Sequence, residues 1–217
     1  NRKFGKGELT EILAVAQIYN PQLLIAEFSG PLTVTEQGEQ QSLIVNWKGA
    51  QASVFGLPVS PERMSIVVDE PTLERSAGTM RTPLAKAKKS ELHGRIAEGS
   101  ARDNPVIEAV WQLTQASADS LHPALGDAFD ANGQARLSGL KDFRPKPWPE
   151  RFREIQAANG RIEILQFRLQ QGNMIAVASG PLGISPQGQL DGELQMVVAG
   201  LEKIVPALGL DKILEQG

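Results

Sequence analysis

The chain of 217 residues contains no cysteine. That removes disulfides, thiolate metal sites and cysteine nucleophiles together, and it suits any compartment, including an oxidising one where stray thiols are a liability. Positive charge is not in excess, because 22 Lys and Arg stand against 25 Asp and Glu for a net charge of −3. Nucleic acid demands dense cationic surface against its phosphates, so it is not an expected partner. No apolar run reaches the roughly 18 residues needed to cross a bilayer, and no signal peptide opens the chain. Aromatics make up 5%, so a core must rest on Leu, Ile, Val and Ala.

What is present points to strands. Hydrophobic residues make up 41% of the chain, as in ordinary globular proteins, and the length allows one large β domain or two smaller ones. Gly 21 and Pro 14 punctuate short apolar stretches, a pattern of many strands joined by turns. The chain opens at Asn1-Arg2-Lys3 without methionine. The expectation is the body of a longer protein whose N-terminal region, with any targeting information, has been removed.

Strand-length runs occur at Glu11 to Tyr19, Leu23 to Phe28, Leu32 to Thr35, Ser42 to Lys48, Gln51 to Phe55 and Met64 to Val68, with a hinge at Gly49. Turn signals between them have the spacing of an antiparallel meander. From Pro71 to Ala101 the pattern is more polar, and Leu84 to Ala97 fits a long strand or a helix. Strands are expected at Val106 to Thr114, Gln134 to Gly139, Arg161 to Leu169, Met174 to Ala178 and Leu190 to Val198. Helices are expected at Asp119 to Phe129, capped by Asp119 or Ser120, at Trp148 to Ala158, and at Leu201 to Gln216.

A repeat stands out from this pattern. Ser29-Gly-Pro-Leu-Thr-Val-Thr-Glu-Gln-Gly38 recurs as Ser179-Gly-Pro-Leu-Gly-Ile-Ser-Pro-Gln-Gly188, with six of ten positions identical. Each copy follows an apolar strand, Leu23 to Phe28 or Met174 to Ala178. Each leads into another, Leu43 to Trp47 or Leu194 to Ala199, and ends on Gly49 or Gly200. Duplication of a strand–turn–strand unit accounts for the match, with Pro31 and Pro181 at kinks or edges where no ladder donor is needed.

Chemistry-bearing patterns are sparse. His93 and His122 sit in no metal-binding spacing and read as surface histidines. A calcium loop opening at Asp130 would need glycine at Ala135 and glutamate at Lys141, so Asp127 to Gly133 reads instead as an Asx-type turn. Asp69 and Glu70, as strand neighbours, would face opposite ways. Nucleophile-elbow, P-loop and dinucleotide-binding signatures are missing, and the expectation is a non-enzyme with no cofactor and no metal. The basic, aromatic stretch Lys141 to Arg153 has two readings. Lys141, Phe143, Arg144, Lys146, Trp148, Arg151 and Arg153 could contact anionic headgroups, rings at the interface and cations beside phosphates. Alternatively, this is a proline-rich loop whose aromatics cap the core. The Leu/Ile/Val/Ala strands likewise suit either a filled core or a lipid-sized groove.

The C-terminal unit, from Asn159-Gly-Arg-Ile-Glu-Ile-Leu through Gly180-Pro-Leu-Gly-Ile-Ser-Pro-Gln-Gly to Gly200, resembles the repeats of AsmA-like envelope proteins. More broadly, Asn20-Pro21, Ser29-Gly-Pro-Leu, Gly56-Leu-Pro58 and the 161–178 hairpin resemble a family of uncharacterised proteobacterial proteins with a membrane anchor and a β-rich body. The resemblance implies a periplasmic protein anchored to the inner membrane, and lipid or another envelope protein as partner. It brings no catalytic residue.

The expected fold is mostly β, a β-rich α+β arrangement. It comprises antiparallel curved sheets built from two related strand–turn–strand units, with a few short helices. An N-terminal β unit (1–70), a central segment (71–147) and a C-terminal helix with β unit and terminal helix (148–217) form one body. The expected role is a non-enzymatic envelope protein that contacts or carries lipid, the alternative being a protein-interaction or structural module.

Overall fold

The computed structural model describes residues 6–17, 20–35, 41–57, 60–101, 103–144, 146–185 and 189–200. Its strands are β1 (Lys6–Gln17), β2 (Asn20–Thr35), β3 (Gln41–Asn46), β4 (Gly49–Leu57), β5 (Ser60–Asp69), β6 (Thr72–Ala77) and β7 (Met80–Lys86). They continue as β8 (Lys89–Ile96), β9 (Ile107–Ala116), β10 (Phe129–Leu137), β11 (Arg161–Gln171), β12 (Met174–Ile184), β13 (Leu190–Gly192) and β14 (Gln195–Ala199). One helix, α1 (Trp148–Ala157), interrupts the series. All fourteen strands belong to one antiparallel sheet that curves without closing.

Three pairs of strands are halves of long strands bent at a two-residue link. These are β3 with β4, β5 with β6, and β7 with β8, the links being Trp47-Lys48, Glu70-Pro71 and Ala87-Lys88. The long strands pair in chain order, so the sheet is an uninterrupted meander. The links align across neighbouring strands and keep their backbone groups paired. The Lys48 amide donates to the Asp69 carbonyl (3.0 Å), the Glu70 amide to Lys88 (3.0 Å) and the Lys88 amide to Thr114 (2.9 Å). The sheet is therefore creased along a line that backbone hydrogen bonds still bridge.

The duplication is structural as well as sequential. β2 pairs along its length with β1, and its other edge meets β4 at Leu23–Glu27 and then β3 at Leu32–Thr35. β12 repeats the plan, with β11 on one edge and β14 (at Ile175–Ser179) then β13 (at Leu182–Ile184) on the other. The repeated Ser-Gly-Pro therefore marks no turn. It lies inside a continuous strand, where the partner changes, and neither Gly30 nor Pro31 has a ladder partner. At both junctions the bent partner crosses closely. A Cβ on Gly30 would stand 3.0 Å from the Trp47 ring, and one on Gly180 would overlap the Glu193 carbonyl oxygen. Glycine is thus required by proximity of backbone and ring, not by turn geometry. The flanking strands correspond differently from the sequence alignment: the counterpart of β3 is β13, and that of β14 is β4.

Other expectations shift for local reasons. Asp119 to Phe129 forms only a 3-10 turn at Pro123–Leu125, capped by His122, whose Nδ1 accepts from the Ala124 amide (3.1 Å). Phe129 is needed instead as the first buried residue of β10. The polar stretch after Pro71 contains β6, and Leu84 to Ala97 is two strands with a bend. Glu70 lies in the link with φ +49°, so it is not a strand neighbour of Asp69. Asp130 and Gly133 belong to β10, and Asp130 accepts from the Gln115 amide (2.8 Å) instead of shaping a turn. Leu190 to Val198 is split into β13 and β14. α1 agrees with its expected span to within one residue, and Asn159 follows in the left-handed region before Gly160. The helix expected at Leu201 to Gln216 lies outside the described residues.

Gly180→Ala should destabilise the fold by about 1–3 kcal/mol in urea unfolding, because the crossing backbone cannot retreat without losing pairs. Gly49→Ala, whose Cβ would meet only an ordinary 3.6 Å contact with Asp69, should be neutral or stabilising by about 0.4–1 kcal/mol.

Candidate functional site

Side chains on successive strand residues point to opposite faces. β10 displays the rule plainly: Phe129, Ala131, Gly133 and Ala135 are buried, while Asp130, Asn132, Gln134 and Arg136 are exposed. Carried across the sheet by the pairing register, this alternation produces two chemically opposite faces. On one, Ala14, Ala26, Ala52, Ile66, Leu92, Trp111, Gly133, Phe167, Ala178 and Met196 follow each other across ten strands. The next row on the same face runs Leu24, Val54, Met64, Gly94, Ala109, Ala135, Ile164 and Gly180. Neither row contains a polar side chain.

This apolar face is sealed unevenly. Toward β9–β11 it holds a packed cluster in which Ala116, Phe129 and Ala131 are buried beneath Leu113, Leu125, Phe167 and Leu169. Phe143 joins Met64, Gly94, Ile96 and Ile107 around a small hollow at the strand ends. Toward β2–β8 the cover thins, and Leu24 (41%), Met64 (38%) and Leu92 (37%) remain accessible. Full burial of such a side chain is worth about 1.5–3 kcal/mol, and the part of that gain that belongs to the surface still exposed is not realised here.

The opposite face carries a row of charge. Phe55, Arg63, Arg95, Glu108, Arg136 and Glu163 stand directly opposite one another from β4 to β11. Glu108 accepts from Arg95 Nε (2.9 Å) on one oxygen and from Arg136 Nε (3.0 Å) and Nη2 (2.8 Å) on the other. Flanked by two guanidinium groups, it is buried although it lies on the polar face. Hydrogen bonds from Arg95 and then Arg136 hold its carboxyl below the ordinary glutamate range. The adjacent row includes Ser65 and His93, whose Oγ and Nδ1 are 2.8 Å apart. Among the described residues no three His, Asp or Glu side chains converge as metal ligands. None of their helices is long and apolar enough to cross a membrane.

The basic, aromatic stretch divides into internal and external parts. Lys146 Nζ reaches Asp142 (3.1 Å) and Glu154 (2.6 Å). Arg151 contacts both carboxylates (3.2 and 2.7 Å) and donates to the Asp142 and Arg144 carbonyls. Burial pushes the Glu154 carboxyl up, but hydrogen bonds from Lys146 and the Lys141 amide and the charge of Arg151 outweigh it, leaving the pKa lowered. Asp142 is lowered chiefly by Lys146, and Lys146 is raised by Glu154 and Asp142. Lys146 and Arg151 thus pin Asp142 and Arg144, ahead of the helix, to α1 and are turned inward. Lys141, Arg144 and Arg153 are exposed, and Phe143 is half-buried against the apolar face. Trp148 opens α1, and its side chain lies outside the described residues.

The model of a family described as an uncharacterized protein conserved in bacteria (DUF2125) matches residues 4–216. The chain belongs to this family. Comparison with curated proteins gives no match. The family match spans both sheet faces and the loop–helix network, so all three features lie within the region shared with the family model.

The charge row escaped sequence reading, because its members sit on separate strands and meet only through register. His93 was legible as an exposed strand residue, although its Ser65 partner was not. Because Glu154 and Asp142 have lowered pKa values, their contribution to stability is complete above the ordinary carboxylate range and is lost as pH falls through those lowered values. Glu154→Gln should therefore cost about 1–3 kcal/mol at neutral pH. In urea unfolding the gap to wild type should close on acidification, when the native carboxyl is itself protonated.

Proposed function

We propose that this protein is a non-catalytic component of the bacterial envelope whose apolar sheet face takes up the acyl chains of a lipid. The observation that carries the reading is the pair of all-apolar rows, one spanning ten strands, with Leu24, Met64 and Leu92 accessible in the folded chain. A filled core would bury these residues, and a sheet normally packs its hydrophobic face against a second layer. The lining is aliphatic and soft, with methionine at Met64 and Met196, which suits chains of variable length and unsaturation. The resemblance of the C-terminal unit to AsmA-like envelope proteins supports placement in the periplasm with a tether at the inner membrane. Absence of cysteine is compatible with that compartment.

A second reading, an interaction module, draws on the C-terminal edge of the sheet. Leu190 (61%), Leu194 (44%), Met196 (60%) and Val197 (68%) are exposed apolar residues there, and strand edges recruit partners by extending the ladder.

Protein purified without detergent should yield co-extracted amphiphile in organic solvent, quantified by mass spectrometry. Leu92→Asp should lower its amount by about tenfold or more, since a charge replaces apolar contact at the centre of the row. Gln112→Asp, on the opposite face of β9, should leave it unchanged. Wild-type protein free of amphiphile, and unable to acquire any from vesicles, would refute lipid uptake. A stable partner lost on Met196→Asp would then favour the edge reading.

A further inference from the structure

On the face turned away from the apolar rows, a hollow of about 580 Å³ collects donors that the fold does not consume. Arg63 and Arg95 are directly opposed on β5 and β8, where like charges repel. Arg95 is partnered by Glu108, but that carboxylate is shared with Arg136. Arg63, Arg95 and Arg136 share this row with Glu108 and Glu163, a surplus of one positive charge in a chain whose net charge is −3. Glu163, next in the row, forms no ion pair among the described residues, and Arg63 likewise meets no carboxylate there. The Arg63 guanidinium lies 4.6 Å over the Phe55 ring. That stacking fixes the plane of the fork while leaving its N–H edges available.

The remainder of the wall defines the kind of ligand. Ser65 and His93 supply polar atoms one row away, while Leu23 and Phe55 supply an apolar surface. We propose that this hollow binds an organic oxyanion, a carboxylate or phosphate carried on an apolar or aromatic body. Arg63 is its principal contact, Arg95 closes on the same group from β8, and the body lies against Leu23 and Phe55. A planar guanidinium matches an oxyanion with two parallel hydrogen bonds, the strongest recognition such a side chain offers. Arg63, Arg95, Leu23 and Phe55 alternate to the other face from the acyl-binding rows, of which only Met64 and Gly94 also border the hollow, and the site does not rest on the lipid reading.

Phenyl phosphate and inorganic phosphate are titrated into the intact protein at low salt by calorimetry. Phenyl phosphate should bind, inorganic phosphate more weakly, and Arg63→Ala should weaken phenyl phosphate by about tenfold or more. Arg63→Lys, which keeps charge but loses the fork, should fall between. Arg63 is exposed and outside the ion-pair network, so the variants should retain wild-type melting and wild-type amphiphile content, which separates this site from the apolar face. Flotation with phosphatidylglycerol against phosphatidylcholine vesicles distinguishes the sources. Arg63-dependent flotation assigns the oxyanion to a headgroup, and phenyl phosphate binding without flotation assigns it to a soluble molecule. Arg63→Ala protein that binds phenyl phosphate and anionic vesicles as well as wild type would overturn the proposal, as would wild type that binds neither.

Discussion

Everything in this molecule depends on the phase of its strands. A single-layer sheet separates apolar from polar chemistry only while each strand holds its register against the next, since a slip of one residue turns every side chain to the wrong face. The chain maintains that phase across β1 to β14 by pairing each long strand with its neighbour in sequence, and it corrects irregularities where they arise. Between β10 and β11 the pairing moves from Gln134 with Gln166 to Ala135 with Ile164. The residue left over, Leu165, is a bulge that lets Gln166 stay on the polar side and Ile164 on the apolar side.

The two faces handle their surplus differently. On the apolar face, small residues and rings are fitted together where cover is available: Trp111 lies over Gly133, where a Cβ would collide with the indole. Where cover is thin, large aliphatic side chains remain accessible. On the polar face the arginines outnumber their carboxylates. Contrast the loop before α1, where Asp142 and Glu154 balance Lys146 and Arg151 within one closed set. Balanced charge fastens a segment, whereas unbalanced charge beside a hollow is a means of recognition.

Much of the architecture was legible from local patterning. Strand-length runs, turn residues at Gly172-Asn173, α1 and the duplicated Ser-Gly-Pro could be read because each depends on a few adjacent residues. The duplication was also misread in part, for the same reason. Glycine and proline ordinarily signal a turn, and only the third dimension reveals Trp47 and Glu193 crossing at Gly30 and Gly180. The basic stretch from Lys141 to Arg153 showed its composition but not its direction, because Lys146 and Arg151 turn inward toward carboxylates at i−4, i+3 and beyond. The Arg63–Arg95–Glu108–Arg136 row was invisible for a stronger reason. Its members span 74 positions, Arg63 to Arg136 inclusive, and no spacing rule links residues that meet through three successive registers.

The strictly sequential pairing has a further consequence for how the chain reaches this state. Each new strand adds to one already present, so no distant segments must find each other before pairing can begin. Loop-closure entropy is met in small instalments, one hairpin at a time. A sheet of fourteen strands can therefore assemble by accretion from either duplicated end, or in the order in which residues emerge during synthesis. Such growth leaves at each moment one unfinished border, which moves along the chain until the last strand is laid down.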